Sequence, residues 1–235
     1  MQTCPSKDLS MTTAEFAVFS SVLRSELGPA SLPFIFKCLL RSRAVFRASR
    51  WSQLKNEEAR MARRVSSSVA LYLNLTGVVG RERALDITRQ IVVPIGTNEQ
   101  LRNIEAWGIA SKSGMERLMA FYDHMGRAGV GRFVERTLVK ASDATLRYEV
   151  KGCFFHRFYS DAGTPELTQL FCEVDREFFP RAFPDFTFHR GDSWQNTIAY
   201  GKDHCTFAFD RIDSAATPGP HLKETHHDRL PVQGT

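Results

Sequence analysis

The sequence lacks several features that would place the protein in a membrane or outside the cell. Its longest apolar segment, SLPFIFKCLL, is too short to span a bilayer and contains Lys37. The N-terminal segment MQTCPSKDLS has no apolar core of a signal peptide. There is no CxxC pair, and an odd number of cysteines favours free thiols in a reducing compartment. We therefore expect a cytoplasmic protein without membrane association. The five cysteines are Cys4, Cys38, Cys153, Cys172 and Cys205.

The charge of the chain is basic but carries no recognisable nucleic-acid motif. The net charge is +5, and the segment 37–55 contains six basic residues and no acidic one. Such a segment is typical of a solvated helix face or of a surface that attracts an anionic small molecule. Because no binding motif accompanies the charge, we do not predict a nucleic-acid partner. The sequence gives no information about the oligomeric state.

The first part of the chain has mainly helical periodicity. A capping-box pattern at Thr12 and Glu15 opens a helix that Gly28 and Pro29 should end near Leu27. The apolar segment 66–80 is compatible with a buried helix or a strand. Further helices are predicted from about 31, over 54–64, over 81–93 with an end at Pro94, and over 115–125.

The pattern changes near residue 143. Leu146, Tyr148 and Val150 alternate with charged residues, which predicts a strand within 144–159. A helix is predicted over 165–179, and further strands at 185–190, 193–201 and 204–210. We therefore predict an α+β fold: a helical N-terminal part followed by a small antiparallel sheet with one helix packed on it. The expected organisation is one compact domain over 1–213, mainly helical over 1–140 and with the sheet and site-bearing helix over 141–213; 214–235 should be a disordered tail.

The helix predicted over 165–179 carries an unusual polar row beside its apolar face. At 100° per residue, Thr168, Cys172 and Asp175 lie on one flank of the core stripe, at positions i, i+4 and i+7. A thiol and a carboxylate in such a row could face a cleft beside the sheet. The simpler interpretation is that cysteine packs as a small apolar side chain and that the aspartate pairs with an arginine.

Two further thiols lie on predicted strands. By simple alternation Cys153 faces away from Val150, unless a bulge at Gly152 reverses its direction. Cys205 shares a face with Phe207 and Phe209 on the last strand. Alternation therefore permits the three thiols to converge but does not require it.

The segment 150–209 resembles the L-2-amino-thiazoline-4-carboxylic acid hydrolase family. The resemblance is carried by Cys153 after a strand and by the segments PEL (165–167), FCEVD (171–175), FTFHR (186–190) and TIAYGKDHCTFAF (197–209). It implies hydrolysis of a cyclic amidine, in which water opens a five-membered thiazoline ring. It also implies catalytic roles for four residues that match the family's framework: Cys153, Cys172, Asp175 and Cys205. Arg190 and Gly201 are weaker matches.

Two chemistries fit these residues. In a covalent route, Cys172 attacks the ring carbon, Asp175 holds the amidine or moves a proton, and Arg190 pairs with a substrate carboxylate, with Thr168 also on the substrate side. In a metal route, three thiolates and an aspartate or histidine would suit zinc. The ligands lack the short paired spacing of common zinc modules, so we favour the covalent route and predict no cofactor, with zinc as the alternative.

A different class of function remains open on the sequence alone. The same residues could form a non-catalytic small-molecule-binding domain, with the basic helices contacting a partner. Our preferred hypothesis is a hydrolase that cleaves a carbon–nitrogen bond in a cyclic amidine or a related small heterocycle.

Overall fold

The computed structural model describes residues 12–127 and 129–212. Within these ranges the N-terminal part is helical, with short 3₁₀ turns between the helices. Its helices are α1 (Thr13–Leu27), α2 (Ser31–Ala48), α3 (Glu57–Val79), α4 (Arg81–Ala106) and α5 (Gly114–Arg127). The predicted disordered tail from 214 lies outside the described residues, as do the first residues of the chain.

The C-terminal part is a four-stranded antiparallel sheet with two helices. The strands are β1 (Val134–Ala141), β2 (Thr145–Cys153), β3 (Phe186–His189) and β4 (Cys205–Arg211). Their order in the sheet is β1-β2-β4-β3. The helices α6 (Phe154–Asp161) and α7 (Leu167–Ala182) connect β2 to β3. The predicted α+β class, with helices first and a small antiparallel sheet after them, is confirmed.

The capping signal at the start of α1 is confirmed, and the structure decides the undecided segment of α3. The Thr12 side chain accepts from the Glu15 backbone, and the Glu15 side chain accepts from the Thr12 backbone, which completes the capping box. The segment 66–80, which periodicity left undecided, forms the buried second half of α3.

The predicted end of a helix at Pro94 is wrong. Helix α4 continues through Pro94 to Ala106. A proline inside a helix removes one backbone hydrogen bond and costs about 3 kcal/mol. Buried residues on both sides of the proline, Ile91 and Ile104 among them, anchor both halves of α4 in the core. This packing outweighs the local cost. Helix α7 likewise continues past Pro180, with Ala182 buried.

Three other local predictions need correction. The segment 134–141, which falls at the end of the part expected to be mainly helical, is strand β1. Its side chains are mostly exposed, and its backbone pairing with β2 defines it as a strand. The chain after Cys153 turns directly into α6, whose phenylalanines are buried. The segment 193–201 is a loop with a 3₁₀ turn at Ile198–Tyr200 in place of the predicted strand.

Helix α7 joins the two apolar cores of the molecule. Leu167 and Leu170 belong to a core shared with α2, α3, α4 and α6. Phe178 and Phe179 belong to a second core, shared with α5 and the sheet. Since α7 passes from one core to the other, its middle turns, which include Cys172 and Asp175, lie where the two cores meet.

Candidate active site

The polar row of α7 faces a large internal cavity. Thr168, Cys172 and Asp175 all line a cavity of about 640 Å³ between the helical part and the sheet. Thr168 and Cys172 are buried, whereas the Asp175 side chain is 29% exposed. Because Asp175 lines the cavity, its exposed surface is directed there. The helical spacing of these three residues, visible in the sequence, thus places them on the face of α7 that lines the cavity.

A β-bulge brings Cys153 to the same cavity. Arg136 on β1 pairs with Val150, but Glu135 pairs with Gly152, so one extra residue of β2, Lys151, lies between these two pairs. Cys153, which pairs with Val134, therefore faces the same side as Val150.

Cys205 lies opposite this face of β2. It pairs with Val150 in the antiparallel β2–β4 register, and side chains of directly paired residues share a face. Cys153 and Cys205 both line the cavity with Cys172. The backbone N–H of Ile198 donates to the Cys205 sulfur over 3.2 Å. The structure thus brings together the three predicted thiols and the predicted carboxylate.

Arg190 forms a buried ion pair with Asp175. Its Nη2 donates to Asp175 Oδ2 over 2.7 Å, and its side chain is only 1% exposed. Its Nη1 donates to the Thr206 carbonyl, and its guanidinium lies 3.8 Å from the centre of the Phe207 ring. Arg190 therefore orients the carboxylate, and two of its three nitrogens are already engaged.

Burial shifts the pKa of each acidic group in the cluster. It raises the pKa of the Asp175 carboxyl to about 6, although the neighbouring Arg190 lowers it. It raises the pKa of the Cys172 thiol to about 12 and that of Cys153 to about 11. At neutral pH these two thiols are protonated, while Asp175 is mostly ionised. A thiol that attacks a substrate must therefore lose its proton during the attack.

Three buried polar atoms on the cavity lining have no hydrogen-bond partner within the described residues. They are Thr168 Oγ1, Arg190 Nε and Tyr122 Oη. Buried polar atoms are nearly always paired, because an unpaired one costs about 1–3 kcal/mol. Their collection around one cavity indicates a site that pairs them with a polar ligand or with water.

Two lining residues were not predicted from the sequence. Tyr122 lies on α5, within the helix predicted over 115–125, and only the structure shows that its hydroxyl lies beside the cavity. Arg136 lies on β1, a strand that the sequence did not predict. It donates to the Tyr122 carbonyl and has no carboxylate partner among the described residues. The alternation of Val134, Arg136 and Leu138 was the available signal for this arginine.

The geometry of the described residues does not form a metal site. No group of three or more histidine, cysteine, aspartate or glutamate side chains lies close enough to hold an ion. Nor is any described helix both long and apolar enough to cross a membrane.

A comparison with protein families places these residues in a known context. Residues 58–209 match the model of the L-2-amino-thiazoline-4-carboxylic acid hydrolase family, so the match includes most of α3 and all of α4 and α5 as well as the segment 150–209. Comparisons with curated proteins and with solved structures found no match. Because the family match extends over more than half of the 235 residues, the chain belongs to the L-2-amino-thiazoline-4-carboxylic acid hydrolase family.

Proposed function

We propose that the protein is a hydrolase that opens a cyclic amidine or a related small heterocycle inside this cavity. The observation that carries the proposal is the Asp175 carboxylate, which is held by a buried arginine, lines the cavity and lies one helical turn from Cys172. The family name, which describes hydrolysis of a thiazoline, supports the same reaction class.

Asp175 acts as the proton-transferring group. With its pKa raised to about 6, its ionised form dominates at neutral pH yet is basic enough to accept a proton in a transition state. A carboxyl group with an ordinary pKa near 4 would be a weaker base. Arg190 keeps the carboxylate oriented and prevents a still larger rise in its pKa.

Cys172 is the proposed nucleophile. Its thiol adds to the amidine carbon while its proton passes to Asp175. In a thiazoline the ring bond that then breaks is C–S, in place of the C–N bond expected from the sequence, because a thiol leaves more readily than an amine; the leaving sulfur takes that proton. Water, deprotonated by Asp175, next attacks the same carbon, and Cys172 leaves with the proton. The sum of both steps consumes one water molecule and converts a 2-amino-thiazoline-4-carboxylate into an N-carbamoyl-cysteine.

The remaining lining residues bind the substrate. Thr168 Oγ1 and Arg190 Nε supply unpaired polar atoms beside the reacting groups. Arg136 has spare guanidinium donors and suits a substrate carboxylate better than Arg190, which Asp175 and Thr206 already occupy. Cys153 and Cys205, on the facing sheet, close the site around the ring.

The test is ring opening by the purified protein. We expect 2-amino-thiazoline-4-carboxylic acid or a substituted analogue to gain the mass of one water, as followed by liquid chromatography and mass spectrometry. Asp175→Asn, which keeps an acceptor for Arg190, should abolish the reaction. Analogues that bind without being opened would favour the non-catalytic small-molecule-binding domain. Turnover that requires stoichiometric zinc would favour the metal route.

A further inference from the structure

The cavity extends well beyond the polar cluster. Its volume of about 640 Å³ lies within the range of roughly 300–1,000 Å³ that accommodates drug-sized ligands. A five-membered ring with one carboxyl group fills only a minor part of such a space. The polar cluster on α7 and the sheet therefore accounts for one end of the cavity only.

The other part of the cavity, which we name the apolar arm, lies among helices α1 to α4. Its lining side chains are mainly hydrocarbon and include Phe19, Ile35, Val65, Leu71, Ile91 and Ile95. The lining ion pairs here are already satisfied, since Arg64 pairs with Glu99 and Glu15 pairs with Arg102. Arg63, the other charged residue on this part of the lining, lies with its guanidinium 4.9 Å from the centre of the Phe46 ring. The wall of the arm is therefore mainly apolar.

The apolar arm reaches the surface between α1 and α2. Phe16 and Leu39 line the cavity, yet they are 51% and 60% exposed. Large apolar side chains at a cavity mouth provide an apolar path from solvent to the interior. An apolar group that enters the arm gains favourable contacts along its apolar wall.

We propose that the substrate carries an apolar chain or ring system that fills the apolar arm while its heterocycle lies at Asp175. The position of the heterocycle rests on the proposed function, whereas the apolar group rests on the cavity alone. Each buried methylene contributes about 0.8 kcal/mol to the free energy of binding, which corresponds to a roughly fourfold gain in affinity.

The experiment measures the affinity of the protein for a series of ligands whose alkyl groups differ in length. The probes are 2-alkyl-thiazoline-4-carboxylic acids with methyl, propyl, pentyl and heptyl groups, titrated calorimetrically into the full-length protein. We expect the dissociation constant to fall about three- to fourfold per methylene until the arm is full. Equal or weaker binding of the longer compounds overturns the proposal.

Two variants test whether the alkyl group of the probe binds in the apolar arm. Val92→Phe narrows the arm, and Leu39→Asp places a charge at its mouth. Both should flatten the chain-length dependence and leave binding of the methyl compound unchanged. The matched control is Leu40→Asp, because Leu40 is 52% exposed and does not line the cavity. If Leu40→Asp and Leu39→Asp affect heptyl binding equally, the arm is not the binding site.

The two proposals fail in different ways. If the ligands bind more tightly as the alkyl group lengthens but no 2-amino-thiazoline analogue is opened, the apolar-arm proposal holds and the hydrolase proposal fails. Ring opening of the short substrate without a gain from longer chains retains the hydrolase and rejects the apolar substituent. Circular dichroism of each variant verifies that the variant is folded, so that a loss of the affinity increase with alkyl length does not reflect unfolding.

Discussion

Arg190 Nη2 donates to Asp175 Oδ2 over 2.7 Å, and the arginine side chain is almost wholly buried. The two residues come from different elements, α7 and the end of β3, so their pairing fixes the helix against the sheet. Burial raises the pKa of the carboxyl while the guanidinium opposes the rise. This balance sets the pH at which the proposed base becomes active.

The activity should depend on pH through Asp175. A base works in its ionised form, so kcat/KM should rise with pH, with a midpoint near the Asp175 pKa of about 6, and then level off. The measurement is kcat/KM for ring opening across this range in buffers of constant ionic strength. A flat profile through pH 6 would contradict the assignment of Asp175.

Arg190→Lys provides the internal control for this profile. Lysine keeps the positive charge but loses the planar contact on Phe207 and the second donor to Thr206, so its pairing with Asp175 should be weaker. Since Arg190 lowers the pKa of Asp175, the midpoint should move to higher pH in the variant. A shift to lower pH would show that another group controls the profile.

Removal of the Cys172 thiol should separate the covalent route from direct attack by water. If Cys172 is the nucleophile, Cys172→Ala should lower kcat by more than about 10³-fold. The control is Ser66→Ala, which removes a buried polar atom of α3 that does not line the cavity and should retain kcat within a few fold. Initial rates under saturating substrate give both numbers, and retained turnover in Cys172→Ala would leave water, activated by Asp175, as the nucleophile.

The unpaired hydroxyl of Tyr122 should matter for binding and not for stability. Tyr122→Phe removes a buried polar atom that has no partner, so the free energy of unfolding should stay the same or rise by about 1 kcal/mol, while KM increases. The control is Tyr159→Phe, because Tyr159 Oη is hydrogen-bonded to Ser68 at 2.8 Å. The free energy of unfolding of that variant, measured by urea denaturation, should be lower by about 0.5–1.5 kcal/mol. Equal losses in the two variants would show that the Tyr122 hydroxyl is paired in solution.

Gly96 is expected to be required for the contact between α4 and α7. A Cβ atom at this position would lie 2.8 Å from Val174 Cγ2, so Gly96→Ala should destabilise the fold by about 1–3 kcal/mol. Gly77→Ala on α3 meets nothing within 4 Å and should stabilise the protein by about 0.5–1 kcal/mol. Urea unfolding of both variants tests the comparison, and Val174→Ala should restore part of the loss in the Gly96→Ala background.

The sequence predicted the elements whose signals are local. The capping box at Thr12 and the helical row of Thr168, Cys172 and Asp175 depend on residues within a few positions of one another, so spacing alone revealed them. The α+β class followed from the change of periodicity near residue 143. The resemblance over 150–209 was a correct indication of the family, although the match begins as early as residue 58.

Local signals failed where tertiary packing outweighed them. Pro94 normally ends a helix, but buried side chains on both sides keep α4 continuous. Strand β1 has mostly exposed side chains, and its backbone pairing with β2 defines it. Neither effect is encoded within a window of a few residues.

Part of the composition of the candidate site was thus predicted from the sequence, whereas its assembly was decided by the fold. Periodicity placed Cys172 and Asp175 on one flank of a helix, because the α-helical repeat is fixed by backbone geometry. One extra residue, Lys151, reversed the direction of Cys153, and only the pairing of β1 with β2 determines where such a bulge forms. The partner of Asp175 was likewise settled by the packing of Arg190 against the sheet, because an ion pair forms where the fold buries both groups together.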